Sequence, residues 1–148
     1  AGFGAGRWVP GRAARIRRAV GGLAARVGGF VRGGVMPSSP RCLRCCAGSA
    51  FRWPLLTGVA IESLLAMAAS SKAGLTLYAS DPRAGLSLSD APLAAPCAII
   101  IGSEGNGVQP KLAARARGLQ IPTNTVESLT AAIAAGTLLY EARRHRRI

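Results

Sequence analysis

The sequence is poor in aromatic residues, has one histidine and has no acidic residue among its first 53 positions. Aromatic side chains make up 5% of the 148 residues, so a hydrophobic core has to be built mainly from Leu, Ile, Val and Ala. Because 49% of the residues are hydrophobic, a wholly disordered chain is excluded. No apolar run approaches the roughly 18 residues that a membrane-spanning helix needs. The composition predicts one soluble domain with an aliphatic core.

The positive charge is concentrated near the start of the chain, where acidic residues are absent. Residues 1 to 53 contain ten arginines and no acid, whereas the rest of the chain contains nine basic and six acidic residues, for a net charge of +13. A surplus of this size attracts polyanions through long-range electrostatics and counterion release. We expect nucleic acid as the leading partner, with an anionic membrane surface as the alternative.

Cysteine is scarce as well, and the four cysteines are Cys42, Cys45, Cys46 and Cys97. The C-x-x-C spacing in "CLRCC" is compatible with a metal site or a redox pair. A structural zinc site needs four ligands, however, and the one histidine, His145, lies in a basic tail. We therefore favour small hydrophobic side chains on a helix, predict no metal site, and expect the protein in the reducing cytoplasm.

Segments typical of helices and strands alternate from residue 61 onward. "IESLLAMAASSKAG" predicts a helix closed by Gly74, and "LTLYAS" predicts a strand. The β-branched run "PCAIII" predicts a strand covered on both faces, as in a parallel sheet. "QPKLAARARG" predicts a helix ending at Gly118, and "LQIP" a short strand. This alternation indicates an α/β protein with an open parallel sheet.

The last predicted element is a helix that begins near Asn124. Asn124 and Glu127 have the spacing of a capping box, and the arginines at the far end suit the negative pole of a helix. Apolar residues follow at spacings of four, three and four, which predicts that they form one face of this helix: Leu129, Ile133, Gly136 and Tyr140.

A glycine-rich segment, "GSEGNG", follows the predicted strand "PCAIII" directly. Gly102, Gly105 and Gly107 have the spacing G-x-x-G-x-G, which is neither the dinucleotide fingerprint nor a phosphate loop. Glycines here would let backbone groups approach a ligand at the carboxyl end of the sheet, and the alternative is a tight turn without a ligand. On the ligand hypothesis, Gly102→Val abolishes binding and leaves the fold largely intact.

Two long segments resemble the C-terminal signature motifs of the SpoU/TrmH family, the RNA ribose 2′-O-methyltransferases of the SPOUT superfamily. "IIIGSEGNGV" and "LQIPTNTVESLTAAIAAGTLLYEARR" are similar to G-S-E-G-x-G and I-P-M-x-x-x-x-E-S-L-N-V-x-x-A, in the same order. "SPRCLRCCAGSAFRWPLL" resembles the family's "LRASAG" to "FRLPV" segment. "PGRAARIRRA" falls where the first family motif is expected, with Arg18 on its arginine, Arg12 on its asparagine and Ala14 on its glycine.

The resemblance implies a fold, a cofactor and partners. The fold is a SPOUT-type open parallel sheet flanked by helices with a C-terminal trefoil knot. The cofactor is S-adenosyl-L-methionine, the substrate is tRNA or rRNA, and the assembly is a homodimer with active sites near the subunit interface. The match is good over residues 36–148, which we assign to the methyltransferase domain. Residues 1–35 form a basic, low-complexity, partly disordered segment, interpreted either as an RNA-binding arm or as a frame-shifted translation of a GC-rich gene.

The same resemblance assigns site residues. Those implied to hold the cofactor are Gly102, Gly105, Gly107, Ile121, Pro122 and Leu129, and those implied to act in catalysis are Arg18, Glu104, Ser128 and Thr130. For Glu104 the alternative is a carboxylate bonded only to neighbouring backbone N–H groups. Thr130 stands where the last family motif has asparagine, and Arg12 stands where the first family motif has asparagine. These two replacements keep open an inactive RNA-binding protein that retains the fold.

Overall fold

The computed structural model describes residues 28–31, 38, 40, 44, 55–72, 74–103, 106–124 and 129–146. These residues include five strands and three helices. The strands are β1 (Gly28–Val31), β2 (Leu55–Val59), β3 (Thr76–Ser80), β4 (Cys97–Ile100) and β5 (Arg117–Leu119); the helices are α1 (Ile61–Ser70), α2 (Pro110–Ala113) and α3 (Ala131–His145).

The principal sheet has three parallel strands in the order β4-β3-β5. Thr76 pairs with Cys97 at the start of β3, and Ser80 pairs with Leu119 at its end. β3 and β4 have consecutive buried residues because both faces of this sheet are covered. The predicted α/β class with a parallel sheet is confirmed. A second sheet pairs β1 with β2 in parallel, so part of the Arg-rich segment forms a strand.

The two faces of the principal sheet carry two separate hydrophobic clusters. Tyr78, Ile99 and Leu119 pack on the face covered by α3, where Ala135 and Leu138 are fully buried. Leu77, Ala98 and Ile100 pack on the opposite face against Leu64 of α1 and Leu112 of α2. Since successive strand residues point to opposite faces, this division follows from the period of two. It fixes which residues beyond the strands continue each face.

The connection from β3 to β4 runs past the far side of β5. Gln120 donates its N–H to the carbonyl of Leu86 at 2.8 Å and accepts from the N–H of Leu88 at 2.8 Å. On its other side β5 pairs with β3, and the N–H of Asp81 donates to the carbonyl of Leu119 at 3.1 Å. The end of β5 is therefore held between two segments of one loop that precede it in the chain.

Helix α3 differs from the prediction in its start and in its buried face. The helix begins at Ala131 and its N-cap is Thr130, which has extended backbone angles, so the predicted cap of this helix at Asn124 was wrong. The buried residues follow a different helical stripe: Ala131, Ala134, Ala135, Leu138, Leu139 and Ala142. Ile133 and Tyr140 are exposed instead. The sheet accepts the small alanines because they let the helix approach closely.

The segment between β4 and β5 also differs from the prediction. α2 ends at Ala113, and Gly118 lies inside β5 rather than at a helix end. Gly118 is required there, because a Cβ atom at this position would lie 2.8 Å from Cβ of Ala84. The paired backbone of Gln120 supplies hydrogen bonds that favour a strand over a helix.

Within the described ranges, no helix combines the length and apolar character required to cross a membrane.

Cys42, Cys45 and Cys46 lie outside the described residues, and of the predicted helix around them only Pro40 and Arg44 are described, both as helical. The fourth cysteine, Cys97, begins β4 and is a partly buried free thiol.

Candidate functional site

The two segments that carry the resemblance lie at the same edge of the principal sheet, its carboxyl edge. Gly102 follows the end of β4, and Ile121 follows the end of β5. Both strands flank β3, so these segments lie on either side of the point where β3 ends. Ligands of open parallel sheets bind at this edge, because the loops after the strands converge there. The loop after β4 and the segment after β5 therefore form one candidate site.

The loop after β4 closes on itself through two backbone hydrogen bonds. Ser103 donates its N–H to the carbonyl of Gly107 at 3.1 Å, and Gly107 donates its N–H to the carbonyl of Ser103 at 2.9 Å. Gly107 has φ +63°, a left-handed conformation that glycine adopts without steric cost. This antiparallel bridge joins the two ends of the glycine turn.

Gly102 lies against the backbone of this turn. A Cβ atom at Gly102 would lie 2.1 Å from the carbonyl carbon of Gly107 and 2.3 Å from the nitrogen of Val108. A side chain would therefore displace the loop itself. This corrects the expectation that Gly102→Val leaves the surrounding fold largely intact, because the glycine is already required for the closure of its own turn.

Ser103 is the one buried polar residue among the described residues of the core. It is 8% exposed, and its Oγ atom has no hydrogen-bond partner within the part of the chain that the structure describes. An unpaired buried hydroxyl costs free energy unless a partner is supplied. The sequence comparison did not single out Ser103, although its place two residues after Ile101 predicts that it continues the α3 face of the sheet.

Aliphatic side chains border the site on the α3 side. Ile121 is partly buried and packs against the same cluster as Leu119 and Leu138. Leu129, just before α3, is also partly buried, whereas Pro122 is exposed. The predicted cofactor residues Ile121, Pro122 and Leu129 are thus found after β5 and before α3, and Gly102 and Gly107 after β4.

Of the predicted catalytic residues, only Thr130 is described. It is exposed, and as the N-cap of α3 it makes no side-chain capping hydrogen bond. Arg18, Glu104 and Ser128 lie outside the described residues, as does Gly105. Their roles stay predictions.

The described residues of the two edge segments are electrically neutral. Residues 101–103, 106–108, 120–124, 129 and 130 include no charged side chain. Charged groups cluster elsewhere: Lys111 pairs with Glu62 across α2 and α1, and Glu141 pairs with Arg144 and His145 at the far end of α3. Hydrogen bonding from Arg144 lowers the pKa of the Glu141 carboxyl. Backbone groups, neutral polar side chains and aliphatic walls at this edge suit an uncharged ligand group.

Comparison with known proteins places this architecture in a family. The family model described as the SpoU rRNA Methylase family matches residues 11–140. An uncharacterized tRNA/rRNA methyltransferase from Synechocystis sp. is 39% identical over 112 residues, covering 74% of this chain and 40% of that protein.

Two solved structures are similar over nearly the whole chain. An AdoMet-bound rRNA methyltransferase from Sinorhizobium meliloti superposes with a TM-score of 0.87 at 25% identity, covering 97% of this chain and 55% of that one. An RNA 2′-O ribose methyltransferase superposes with a TM-score of 0.85 at 28% identity, covering 99% of this chain and 56% of that one.

The chain thus spans less than two thirds of the length of each of these relatives. The family match nevertheless includes most of the chain, from the Arg-rich segment to the middle of α3. The parallel sheet, the glycine turn after β4 and the segment after β5 all lie within it. The resemblance seen in the sequence is confirmed, and the chain belongs to the SpoU rRNA methylase family.

Proposed function

We propose that this protein transfers a methyl group from S-adenosyl-L-methionine to the 2′-hydroxyl of a ribose in tRNA or rRNA. The observation that carries the proposal is the meeting of the glycine turn and the Ile121 segment at one sheet edge. Support comes from family membership and from the similarity to an RNA 2′-O ribose methyltransferase. The cofactor-bound state of another relative supports the choice of methyl donor.

The residues at the sheet edge fit this cofactor. Its adenine and ribose are neutral, and the edge offers close backbone groups, aliphatic side chains and an unpaired buried hydroxyl in place of a phosphate cradle. We assign Gly102, Gly105 and Gly107 to backbone contacts, and Ile121, Pro122 and Leu129 to the walls. When bound, the cofactor supplies a sulfonium methyl that bonds to the ribose oxygen, with loss of the hydroxyl proton and formation of S-adenosylhomocysteine.

The chain's own contribution to this reaction is mainly positioning. An arginine stays protonated at neutral pH, so we assign Arg18 to holding the adjacent phosphate and to stabilising charge rather than to removing a proton. Glu104 and Ser128 are assigned to orienting the reacting groups, on the basis of their family positions. Thr130 provides one hydroxyl where the family motif has an amide, and its exposure on the N-terminal end of α3 leaves it accessible to RNA.

We further propose that the C-terminal part of the chain forms the trefoil knot of the SPOUT fold. The supporting observation is the confinement of Gln120, which pairs with Leu86 and Leu88 while β5 pairs with β3. A loop that leaves β3, passes β5 and returns to β4 is the kind of enclosure that a threaded chain requires. Knotted chains are rare exceptions among protein folds.

We propose a homodimer that forms through the exposed stripe of α3. Ile133 is 56% exposed and Tyr140 is 60% exposed, and they lie seven residues apart on one side of the helix. Gly136 lies between them, and nothing lies within 4 Å of a Cβ atom at that position. Large apolar side chains beside a small residue are typical of a helix packing surface.

RNA is the proposed partner because the net charge is +13 and the described α3 ends in exposed Arg143 and Arg144. We place the protein in the cytoplasm, where its RNA substrates are made and its free thiols stay reduced. Binding through phosphates is expected to weaken steeply as the salt concentration rises.

The test combines binding and turnover on the full chain. Calorimetric titration with S-adenosyl-L-methionine is followed by transfer of tritiated methyl to bulk tRNA and rRNA. Alkali-resistant dinucleotides in the labelled RNA are expected, because a 2′-O-methyl group blocks cleavage of the next linkage. Label found only in the mononucleotides that alkali releases would refute ribose methylation. In a second test, Arg18→Ala should reduce methyl transfer while cofactor binding stays unchanged.

The second candidate is an inactive RNA-binding protein that keeps the fold. It is favoured by one observation: Arg12 and Thr130 both stand where family motifs have asparagine. Tight binding of the cofactor and of RNA with no incorporated methyl would establish this alternative. Restoring the motif with Arg12→Asn and Thr130→Asn in one variant is then expected to produce methyl transfer.

A further inference from the structure

Ser103 is a buried hydroxyl without a partner at the edge of the sheet. Its backbone is fully used in the turn with Gly107, but its Oγ atom has no hydrogen-bond partner among the described residues. All seven other serines among the described residues are half-buried or exposed, so their side chains have access to solvent. The unmet hydroxyl therefore calls for a ligand or another source of hydrogen bonding.

The position of Ser103 relates it to the aliphatic walls of the site. Ile99 and Ile101 both face the cluster under α3, and the period of two carries this face on to Ser103. Ile121, two residues after Leu119, packs against the same cluster. Ser103 and Ile121 thus extend one face of the sheet beyond two strands that flank β3.

The hydroxyl can reach a ligand without a change in the backbone. Ser103 keeps 8% of its surface accessible, although Oγ itself is shielded in the rotamer present. A serine side chain exchanges among three staggered rotamers about one bond. Rotation about this bond moves the hydroxyl without moving the backbone, and a bound acceptor or donor favours the rotamer that pairs with it.

The chemistry of a serine hydroxyl selects the part of the ligand. Ribose hydroxyls and adenine nitrogens are satisfied by single neutral hydrogen bonds of the kind that a hydroxyl makes, whereas charged amino and carboxylate groups are best matched by a charged partner. The described edge residues 101–103 and 120–124 supply no charge. The hydroxyl therefore suits the nucleoside half of the methyl donor.

We infer that Ser103 is a cofactor-binding residue whose hydroxyl hydrogen-bonds the nucleoside half of S-adenosyl-L-methionine. This inference rests on the proposed function, since it needs the sheet edge to hold that cofactor. It goes beyond the backbone and aliphatic contacts assigned above because it names a side chain that reads a polar atom of the ligand. In the free protein the unpaired buried hydroxyl destabilises the folded state, and the hydrogen bond to the cofactor removes this destabilisation.

The test measures affinity and stability on Ser103→Ala in the full chain. Calorimetry with S-adenosylhomocysteine and with 5′-methylthioadenosine, which lacks the amino acid end, is expected to show a loss of about three- to tenfold for both ligands, the value of one hydrogen bond. The melting temperature of the free variant is expected to equal or exceed that of the wild type, because an unpaired buried hydroxyl has been removed.

The control is Ser70→Ala, which removes the same atoms from the exposed end of α1, where Ser70 Oγ lies 3.4 Å from the carbonyl of Met67. Its affinity should match the wild type. Unchanged affinity in Ser103→Ala, or a loss restricted to S-adenosylhomocysteine, overturns the inference while the proposed function stands. A lower melting temperature of free Ser103→Ala assigns the hydroxyl to the protein's own turn and overturns it too. Failure of the wild type to bind either ligand refutes the proposed function itself.

Discussion

The two faces of the principal sheet are built from the same three strands, yet they serve different parts of the molecule. The α3 face buries Tyr78, Ile99 and Leu119 almost completely beneath a 15-residue helix. The opposite face packs Leu77, Ala98 and Ile100 beneath α1 and the four-residue α2. Among the described residues, the cluster on the α3 face contains twelve buried residues and the cluster on the opposite face contains five. The α3 face therefore holds the larger part of the buried core.

This difference extends to the candidate site. Ile101 and Leu119 belong to the α3 cluster, and the chain goes directly from them to Ser103 and Ile121. The opposite face leads instead to Val108 and to the exposed ion pair between Lys111 and Glu62. The site thus continues the face with the larger buried cluster, which holds its neighbouring backbone in place.

The largest effect on stability is expected from truncating a buried side chain on the α3 face. Leu138→Ala removes a side chain that is 0% exposed and should lower the free energy of unfolding by about 2 to 5 kcal/mol, measured by urea denaturation. Leu64→Ala, on the opposite face, is the matched control and should cost less, because Leu64 keeps 9% of its surface exposed. Equal losses would contradict the difference between the faces.

The next effect concerns the turn that extends the sheet. Gly102→Ala should lower the free energy of unfolding by about 1 to 3 kcal/mol and abolish binding of S-adenosylhomocysteine, because the added methyl overlaps the backbone of Gly107 and Val108. Gly85→Ala provides the control, since nothing lies within 4 Å of a Cβ atom there. Cofactor affinity retained in Gly102→Ala would remove the turn from the site.

A third variant separates the outer side of α3 from the outer side of α1. Tyr140→Asp should convert the proposed dimer to a monomer in sedimentation velocity at micromolar concentration, because a desolvated carboxylate opposes association. Met67→Asp on α1 changes another exposed apolar side chain, 46% exposed, and should leave the assembly unchanged. Dissociation by Met67→Asp with no effect of Tyr140→Asp would move the interface to the other face.

The smallest effect is expected at the end of α3. Arg144 Nε lies 3.0 Å from Glu141 Oε2, and the hydrogen bond from Arg144 lowers the pKa of Glu141 from its ordinary value of 4.5. The lowered pKa stabilises the folded state above pH 4.5, and this contribution is lost as the pH falls through the lowered value.

Glu141→Gln should therefore reduce the melting temperature slightly at pH 7 and low salt. The difference from the wild type should disappear in acid and shrink with added salt, because screening weakens an exposed pair. A difference that stays constant across this pH range would exclude the ion pair as its source.

Strong local patterns made the sheet predictable from the sequence. "LTLYAS" and "PCAIII" have continuous apolar, β-branched or aromatic residues, and they form β3 and β4 as expected. The predicted helix before them is present, but it ends at Ser70 with Ser71 as its C-cap, so its predicted end at Gly74 was wrong by three residues. Gly74 has φ +66° and lies in the turn that follows, where its N–H donates to the carbonyl of Ser71. Order along the chain then placed the glycine turn and the Ile121 segment at the same edge.

The failures came where tertiary contacts outweigh local pattern. Large apolar residues predicted the inner face of α3, but the sheet selected the alanine stripe and left Ile133 and Tyr140 outside. Gly118 has the appearance of a helix end, but its neighbours Gln120 and Ala84 fix it within β5. The burial of Ser103 was not visible in the sequence either, because a serine in a glycine-rich turn usually reaches solvent.

The confinement of Gln120 between Leu86 and the β3 side has a consequence for biosynthesis. During translation β3, the loop after it and β4 leave the ribosome first, so the two segments that flank β5 are synthesised before β5 itself. Until residues 117–146 have emerged, Tyr78, Ile99 and Ile101 lack their covering helix and form an exposed apolar surface that is prone to aggregation. The nascent chain is thus a natural client for chaperones at that stage, and completion of its last helix ends that need.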